Sequence, residues 1–459
     1  MKTVILGAGQ VGSTLAENLA VEANDITVVD QDMEALNELQ ERVDIRTVCG
    51  RAAFPETLRR AGVDDADMII AVTGSDETNM LACRIGHILF HTPVKIARVR
   101  SAEFLREGDA LFARDALSVD MCISPEQLVT ESIQRLIEHP GALQVVDFAD
   151  GRVRLAGLRA YYGGTLVGRQ LHELPSRLPV GVEARVAAIY RRGRPILPEG
   201  DTVIEADDEI FLIAARPHIP EIMAELRRTE KPVKRVMLAG GGNIGYRLAA
   251  ALQSKVQVKI VERDRKRAQQ LSDALDHVVV LAGDAANEEL LKEENIEDTD
   301  IFCAVTNDEE ANILSAMLAK RLGARKVLSL INRLAYVELV EGGAIDIAIS
   351  PQQATISALL ALVRRGDLVK VHPLRRGAAE AVEAVAHGDR GSSRVVGRRL
   401  DEIKMPPGTT IGAIVRGEDV VIAHHDIVVQ AGDHVILFVV DKRHARELEK
   451  LFQVGIGFV

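Results

Sequence analysis

Aromatic residues are scarce in this sequence. They make up 3% of its 459 residues, and tryptophan is absent. The hydrophobic 47% must therefore be mostly aliphatic, so the cores are expected to consist of Val, Ile, Leu and Ala. Aliphatic, β-branched runs of this kind suit strands that are buried on both faces of a parallel sheet. The length predicts two to four domains, at roughly 100–200 residues each.

The chain also lacks an excess of positive charge, a long apolar run and a close pair of cysteines. Its net charge of −11 argues against nucleic-acid binding, which needs a basic face to neutralise phosphates. Because no run of about 18 apolar residues occurs, we expect no transmembrane helix. The N-terminus, MKTVILGAG, is too short and too soon interrupted by glycine for a signal peptide, so we expect a cytoplasmic chain. The four cysteines form no CxxC pair and are expected to be reduced structural thiols.

The second half of the chain repeats the first. KTVILGAGQVGSTLAENLA at 2–20 matches KRVMLAGGGNIGYRLAAAL at 234–252, and AVTGSDETNMLAC at 71–83 matches AVTNDEEANILSA at 304–316. Further matches follow in the same order: Gly50 with Gly283, Ser124-Pro125 with Ser350-Pro351, and LVGRQLHEL at 166–174 with VVGRRLDEI at 395–403. Each half is therefore predicted to contain a larger domain followed by a smaller one.

The larger domains are predicted to be parallel α/β sheets, because their apolar runs alternate with helical segments. The predicted strands are 3–6, 26–29, 45–48 and 68–73 in the first half and 235–239, 258–261, 277–281 and 301–306 in the second. Helices 126–138 and 352–364 are predicted to begin with Ser N-caps and Pro in the first turn, and to join the larger domains to the smaller ones. The fold class is thus α/β, with two tandem Rossmann-like doubly wound domains, each followed by a small α+β domain. The predicted bounds are 1–140, 141–226, 232–366 and 367–459.

A glycine fingerprint opens each half in the context that dinucleotide-binding sites require. It follows a strand, opens a helix, and precedes an acid at the end of the next strand: Asp30 lies 18 residues after Gly12, and Glu262 lies 17 after Gly245. The helix N-terminus would receive the pyrophosphate, and the acid would accept hydrogen bonds from a ribose diol, which favours NAD(H) over NADP(H). The candidate residues are Gly7, Ala8, Gly9, Gln10, Val11, Gly12 and Asp30, and Gly240, Gly242, Asn243, Ile244, Gly245 and Glu262. The alternative is a glycine turn without a ligand.

The ends of the later strands supply further candidates, because ligands of open α/β sheets lie at the carboxyl ends of the strands. Thr73 and Gly74, and their counterparts Thr306 and Asn307, would face the pyrophosphate or ribose; the alternative is a polar cap on the strand end. Arg98 would pair with a phosphate, or is a surface arginine. Leu330 stands in its place in the second half, so the two sites should differ in charge and affinity.

No catalytic or metal-binding pattern accompanies these sites. The twelve histidines form no HExxH and no repeat-matched pattern, and neither GxSxG nor a GK[ST] loop occurs. We therefore expect a binding protein and not an enzyme, with no catalytic residues and no metal.

The motifs GAGQVGSTLAENLA, VVD, AVTGSDETNMLAC and KIARVR resemble the KTN (also called RCK) domain of potassium transport regulators. The small domains resemble the C-terminal domain of the same family, and the resemblance covers the whole chain. It implies a peripheral protein on the cytoplasmic face of the inner membrane that binds NAD(H), or ATP or ADP, and gates a separate membrane-embedded potassium transporter subunit. It also implies a ring, and two KTN domains in each chain suggest a homotetramer.

One departure from the family pattern concerns the ligand of the first site. Many KTN domains have Gly-Asp-Ala after the third strand; the second half keeps it with Asp284, whereas the first half has Arg51. An arginine there would favour an additional phosphate and thus a nucleotide di- or triphosphate. Two alternative functions stay open: an NAD-dependent oxidoreductase, and a nucleotide sensor acting on another partner.

Overall fold

The strands within the described residues form four sheets, two parallel with six strands each and two antiparallel with five strands each. A computed structural model of the chain describes residues 1–21, 25–164, 166–226, 232–340, 343–363, 368–374, 379–440 and 444–453. The two kinds of sheet alternate along the chain, which confirms the predicted fold class.

The first parallel sheet is flanked by helices on both faces. Its strands are β1 (Lys2–Leu6), β2 (Asp25–Asp30), β3 (Arg46–Cys49), β4 (Met68–Ala71), β5 (Val94–Arg98) and β6 (Met121–Ile123). Its helices are α1 (Gln10–Val21), α2 (Met33–Arg42), α3 (Pro55–Arg60), α4 (Asp76–Phe90), α5 (Ala102–Arg106), α6 (Gly108–Leu111) and α7 (Pro125–Glu138). The strand order β3-β2-β1-β4-β5-β6 reverses direction between β1 and β4. Open α/β sheets bind their ligands at this reversal.

The first small domain is an antiparallel sheet with one closing helix. Its elements are β7 (Ala142–Phe148), β8 (Val153–Arg159), β9 (Ala184–Arg191), β10 (Arg194–Ile196), β11 (Glu209–Ala215) and α8 (Ile219–Leu226). The strand order is β10-β9-β11-β8-β7.

The second half repeats both architectures. Its parallel sheet contains β12 (Arg235–Ala239), β13 (Gln257–Glu262), β14 (Val278–Ala282), β15 (Ile301–Ala304), β16 (Lys326–Leu330) and β17 (Ile347–Ile349), in the order β14-β13-β12-β15-β16-β17. The accompanying helices are α9 (Asn243–Leu252), α10 (Arg265–Ala274), α11 (Glu288–Glu293), α12 (Glu309–Arg321), α13 (Leu334–Val340) and α14 (Pro351–Val363). The second small domain contains β18 (Leu368–Leu374), β19 (Ala379–Val385), β20 (Thr409–Arg416), β21 (Asp419–Ile422), β22 (His434–Val439) and α15 (Ala445–Phe452).

The two halves exchange the helices that follow their parallel sheets. Helix α7 packs on α9 of the second half, and α14 packs on α1 of the first. Leu359 and Leu360 of α14 are buried in one cluster with Leu15 and Leu19 of α1, and a second cluster joins α7 to the second parallel sheet. Each parallel sheet is thus covered on one face by a helix from the other half.

The two small domains also share a core. Phe148 and Phe211 of the first lie in one buried cluster with Ala381 and Phe438 of the second. The sheets can approach closely because Gly412 has no side chain: a Cβ there would lie 3.1 Å from Ile213 Cγ2. The two parallel-sheet domains therefore pack against each other as one pair, and the two small domains pack against each other as a second pair.

Within the described residues, no helix combines the length and the apolar character needed to cross a bilayer.

Candidate nucleotide-binding sites

The first glycine loop joins β1 to α1 at the carboxyl edge of the sheet. Gly7 has φ 114°, a region that favours glycine, and a Cβ there would lie 3.1 Å from the backbone nitrogen of Thr73. A Cβ on Gly12 would overlap the carbonyl oxygen of Gly7. Gly9 has nothing within 4 Å of its Cβ position. Gly7 and Gly12 therefore shape the loop, and Gly9 leaves its outer side open to a ligand.

The second glycine loop joins β12 to α9 with the same geometry. Gly240 has φ 104°, and a Cβ on Gly245 would overlap the carbonyl oxygen of Gly240. Gly242 has open space around its Cβ position, as Gly9 does. Gly241, which replaces Ala8, is also constrained, because a Cβ there would overlap Leu271 Cδ1. Asn243 is exposed in the first turn of α9.

An acidic side chain reaches each loop from the neighbouring strand. Asp30 ends β2, and its carboxylate accepts the backbone N–H of Ala8 at 2.6 Å and of Asp32 at 3.0 Å. Glu262 ends β13 and accepts the corresponding N–H groups of Gly241 at 2.7 Å and of Asp264 at 2.8 Å. Each carboxylate oxygen thus receives one of these bonds and has a further lone pair for a ribose hydroxyl.

The strand ends opposite the loops are fixed by a buried asparagine. Asn79 accepts the backbone N–H and the hydroxyl of Thr73, at 2.9 and 2.7 Å, and donates to the carbonyl oxygen of Arg98 at 2.9 Å. Strand β4 therefore ends at Ala71 and not at residue 73, because the N–H of Thr73 is bonded to a side chain. The hydroxyl proton of Thr73 is used within this turn. The neighbouring Gly74 has open space around its Cβ position.

The second half repeats this turn with Asn312. It accepts the backbone N–H and hydroxyl of Thr306, at 2.9 and 2.6 Å, so β15 ends at Ala304 and not at residue 306. Asn307 follows Thr306 and is exposed. Sequence reasoning missed both asparagines, although each lies six residues after its threonine in the repeated motif.

Arg98 distinguishes the first site from the second. Its Nη2 donates to the carbonyl oxygen of Thr73 at 2.7 Å, and burial, with a smaller effect of Arg100, lowers its pKa to about 10. It therefore stays charged at neutral pH. Leu330 ends β16 at the matching place, where its carbonyl oxygen accepts from Asn312 at 3.2 Å. The positive charge is thus present beside the first loop and replaced by an apolar side chain beside the second.

Four other candidates lie at the rim or in the core. Arg51 is exposed after β3, with its guanidinium 5.4 Å from the ring centre of Phe54. Asp284 is exposed after β14 and accepts the backbone N–H of Ala286 at 2.8 Å. The side chains of Val11 and Ile244 pack against hydrophobic clusters, so only the backbone of these two residues can face a ligand.

The exchanged helices reach both glycine-loop helices at their first turns. Gln352 of α14 donates to the carbonyl oxygen of Gln10 at 3.2 Å and to the hydroxyl of Thr14 at 3.3 Å. Its counterpart on α7 is Glu126, whose pKa is raised by burial despite the opposing charges of Arg100, Arg247 and Arg98. Arg247 lies on α9 of the other half.

Two of the cysteines are fully buried in the parallel-sheet domains. Burial raises the pKa of Cys83 and Cys303 to about 12, so both thiols stay protonated at neutral pH. In the part of the chain that the structure describes, no group of three or more His, Cys, Asp or Glu side chains is placed to hold a metal ion.

The fold and the paired loops define the class of the protein, a tandem pair of KTN/RCK units. The family model described as the TrkA-N domain matches residues 3–125 and 236–351, and the TrkA-C domain matches 155–227 and 391–453. The chain belongs to the family of the Trk system potassium uptake protein TrkA. Members from Halomonas elongata and Vibrio alginolyticus are 63% and 58% identical to it, each over 100% of both chains.

Solved structures share the fold at lower sequence identity. The RCK domain of GsuK has 18% identity and a TM-score of 0.62, and the comparison covers 98% of this chain and 94% of that one. The GsuK channel bound to NAD has the same identity and TM-score, over 98% of this chain and 78% of that one. These likenesses concern the fold alone.

Proposed function

We propose that the chain is the ligand-sensing regulatory subunit of a potassium uptake system and not an enzyme. In this proposal it binds NAD(H), with ATP or ADP as alternative occupants. It gates a TrkH/TrkG-like membrane-embedded potassium transporter subunit from the cytoplasmic face of the inner membrane.

The observation that carries the proposal is the pairing of two open glycine loops with two anchored carboxylates. In each half an N–H of the loop holds the acid, at 2.6 Å for Ala8–Asp30 and 2.7 Å for Gly241–Glu262. The loop N–H groups and the helix dipole favour a pyrophosphate, and the free lone pairs of the acid favour a ribose diol. The GsuK channel, which shares the fold, is bound to NAD.

We propose the following ligand contacts, one set in each half. In the first half they are Gly7, Ala8, Gly9, Gln10, Val11, Gly12, Asp30, Arg51, Thr73, Gly74 and Arg98. In the second half they are Gly240, Gly242, Asn243, Ile244, Gly245, Glu262, Asp284, Thr306 and Asn307. We assign them to domains at 1–140 and 232–366, and the small domains to 141–226 and 367–459.

Regulation would act through the exchanged helices. A ligand that contacts the first turn of α1 lies beside Gln352, which is bonded to that turn from the other half. Helix α14 leads into the second small domain, as α7 leads into the first. If a ligand binds one arrangement of the halves more tightly than another, it shifts the population of arrangements and thereby the membrane subunit.

A homotetrameric ring is supported by apolar side chains on equivalent helices. On α4, Leu81, Ile88 and Leu89 are 49%, 50% and 51% exposed, and on α12, Leu314 is 62% exposed. Leu81 and Leu314 occupy matching positions of the repeat. Equivalent apolar faces on both halves suit repeated contacts between copies, and four chains would bring eight KTN domains together.

Calorimetry tests the ligand assignment. NADH, NAD, ATP and ADP are titrated into the wild-type chain and into the variants Asp30→Ala and Glu262→Ala. We expect each variant to lose one binding event and keep the other. If no nucleotide binds the wild-type chain, the proposed ligand is wrong.

Potassium flux tests the gating. The membrane subunit is reconstituted into vesicles with and without this chain. We expect potassium flux to depend on the chain and on the nucleotide that calorimetry identifies. Flux that is identical with and without the chain contradicts the regulatory role.

A further inference from the structure

The two glycine loops face segments of opposite charge. Residues 30–35 and 262–267 each begin with the anchored carboxylate and run into the first turn of the following helix. The first segment contains three acidic side chains, Asp30, Asp32 and Glu34, and no basic one. The second contains Glu262 and Asp264 together with four basic side chains, Arg263, Arg265, Lys266 and Arg267. At the same place in the fold, the two sites therefore differ by five unit charges.

Part of this positive charge is fixed at the rim of the second loop. The Nε of Arg267 donates to the carbonyl oxygen of Gly241 at 2.9 Å, and its guanidinium lies 6.0 Å from the ring centre of Tyr246. In the first half the matching carbonyl, that of Ala8, accepts from the hydroxyl of Ser13 at 2.6 Å. The loop carbonyl thus accepts a hydrogen bond from a neutral hydroxyl in the first half and from a charged guanidinium in the second.

The position of the charge indicates which end of a ligand it would meet. The carboxylate at the end of the second strand marks the adenosine ribose in dinucleotide-binding folds, and a nearby arginine there accommodates a 2′-phosphate. Both oxygens of Glu262 accept a backbone N–H, and Arg263 follows it directly, exposed to solvent. The carboxylate of Glu262 is therefore outweighed by neighbouring cations, whereas that of Asp30 is reinforced by Asp32 and Glu34.

We propose that the second site binds a dinucleotide whose adenosine ribose carries a 2′-phosphate, as in NADP(H), and that the first site selects against it. This inference rests on the proposed function, in which both loops bind dinucleotides. It replaces, for the second half only, the preference for NAD(H) that Glu262 suggests when it is considered without its neighbours. The two sites of one chain would then report on different nucleotide pools.

Calorimetric titration of the full chain with NADH and NADPH tests this, because the two ligands differ only in the 2′-phosphate. We expect NADPH to occupy one site in each chain, the one that Glu262 borders. We expect Arg267→Ala and Arg263→Ala each to weaken NADPH binding about tenfold, the scale of one charge-assisted hydrogen bond, and to affect NADH less. Arg267→Lys, which keeps the charge but not the guanidinium, should retain part of the NADPH affinity.

Arg235→Ala is the matched control. Arg235 begins β12 at the opposite end of the same sheet and pairs with Asp298 at 2.9 Å, so its loss removes one charge without touching the loop. Equal weakening by Arg235→Ala and Arg267→Ala would overturn the proposal. If NADH binds at both loops and NADPH at neither, this inference fails and the proposed function stands. If neither nucleotide binds, both fail.

Discussion

At the scale of single residues, the two loops depend on glycines, which have no Cβ atom. Gly12 and Gly245 lie in helices, where glycine is ordinarily unfavourable, yet each has the carbonyl oxygen of the preceding loop where a Cβ would be. Gly9 and Gly242 have free space instead. Glycine is therefore needed for two different reasons in one motif. At one position it lets the helix pack closely on the loop, and at another it leaves room for a ligand to approach the backbone.

This difference predicts opposite results for two alanine variants. Gly12→Ala should lower the free energy of unfolding by roughly 1–3 kcal/mol, because overlap with the Gly7 carbonyl forces α1 away from β1. Gly9→Ala should leave stability nearly unchanged and weaken nucleotide binding. Urea unfolding of both variants, with binding measured in parallel, checks the prediction. Equal stability of the two would show that α1 adjusts without strain.

Glu126 gives a second residue-scale prediction, with a defined sign. Burial raises its pKa in the folded chain, so the protonated form is favoured by folding, and that contribution is lost as the pH rises through the raised pKa. Glu126→Gln, which copies Gln352 of the other half, stays neutral. It should be more stable than the wild type at neutral pH, and the difference should shrink as the pH falls.

Urea unfolding at several pH values between neutrality and the acid range measures this difference. Glu41→Gln, at an exposed position on α2, removes the same charge and controls for the change of net charge. A variant less stable than the wild type at neutral pH would mean that Arg98, Arg100 and Arg247 outweigh the burial of the carboxylate.

At the scale of elements, the helices after the parallel sheets connect the halves. Their starts were predictable, because Ser124 and Ser350 precede prolines at the first helical position, and α7 and α14 begin at Pro125 and Pro351. The sheet against which each helix packs was not predictable, since an apolar helix face does not specify which of two similar sheets it will cover. The structure pairs each with the glycine-loop helix of the opposite half.

The exchange predicts that a residue of the second half stabilises the first. Leu359 of α14 is fully buried in the cluster beneath β1. Leu359→Ala should lower the free energy of unfolding by about 2–5 kcal/mol and weaken hydrogen-exchange protection in β1 and β4. Leu339→Ala, at a position 82% exposed on α13, is the control and should change little. Loss of protection confined to the second half would contradict the exchanged arrangement.

At the scale of the whole molecule, the four domains form two pairs. The two parallel-sheet domains are joined by the exchanged helices, and the two small domains are joined by a shared core. Arg152 of the first small domain adds a bond of 2.5 Å to the carbonyl oxygen of Gly417 in the second. The exposed leucine and isoleucine side chains of α4 and α12, named above, stay outside both pairs. They are the surface on which the proposed ring depends.

The ring predicts that charge on these helices will separate the chains. Leu81→Glu and Leu314→Glu should each lower the molecular mass in solution below that of a tetramer, because a buried unpaired carboxylate is strongly unfavourable at a contact. Analytical ultracentrifugation measures this. Val180→Glu, at a fully exposed position of the first small domain, should leave the mass unchanged. A wild-type chain that sediments as a monomer would contradict the ring.

The sequence by itself determined the repeat, the fold class and the two glycine loops, because these depend on local signals: apolar periodicity, and glycines at positions that admit no side chain. Tertiary structure alone decided the exchange of α7 and α14, the shared core of the small domains and the early ends of β4 and β15. Those features depend on which surfaces meet. Asn79 shows the reason most simply, because it ends a strand by bonding to Thr73 and Arg98, and its partners are known only once the sheet has formed.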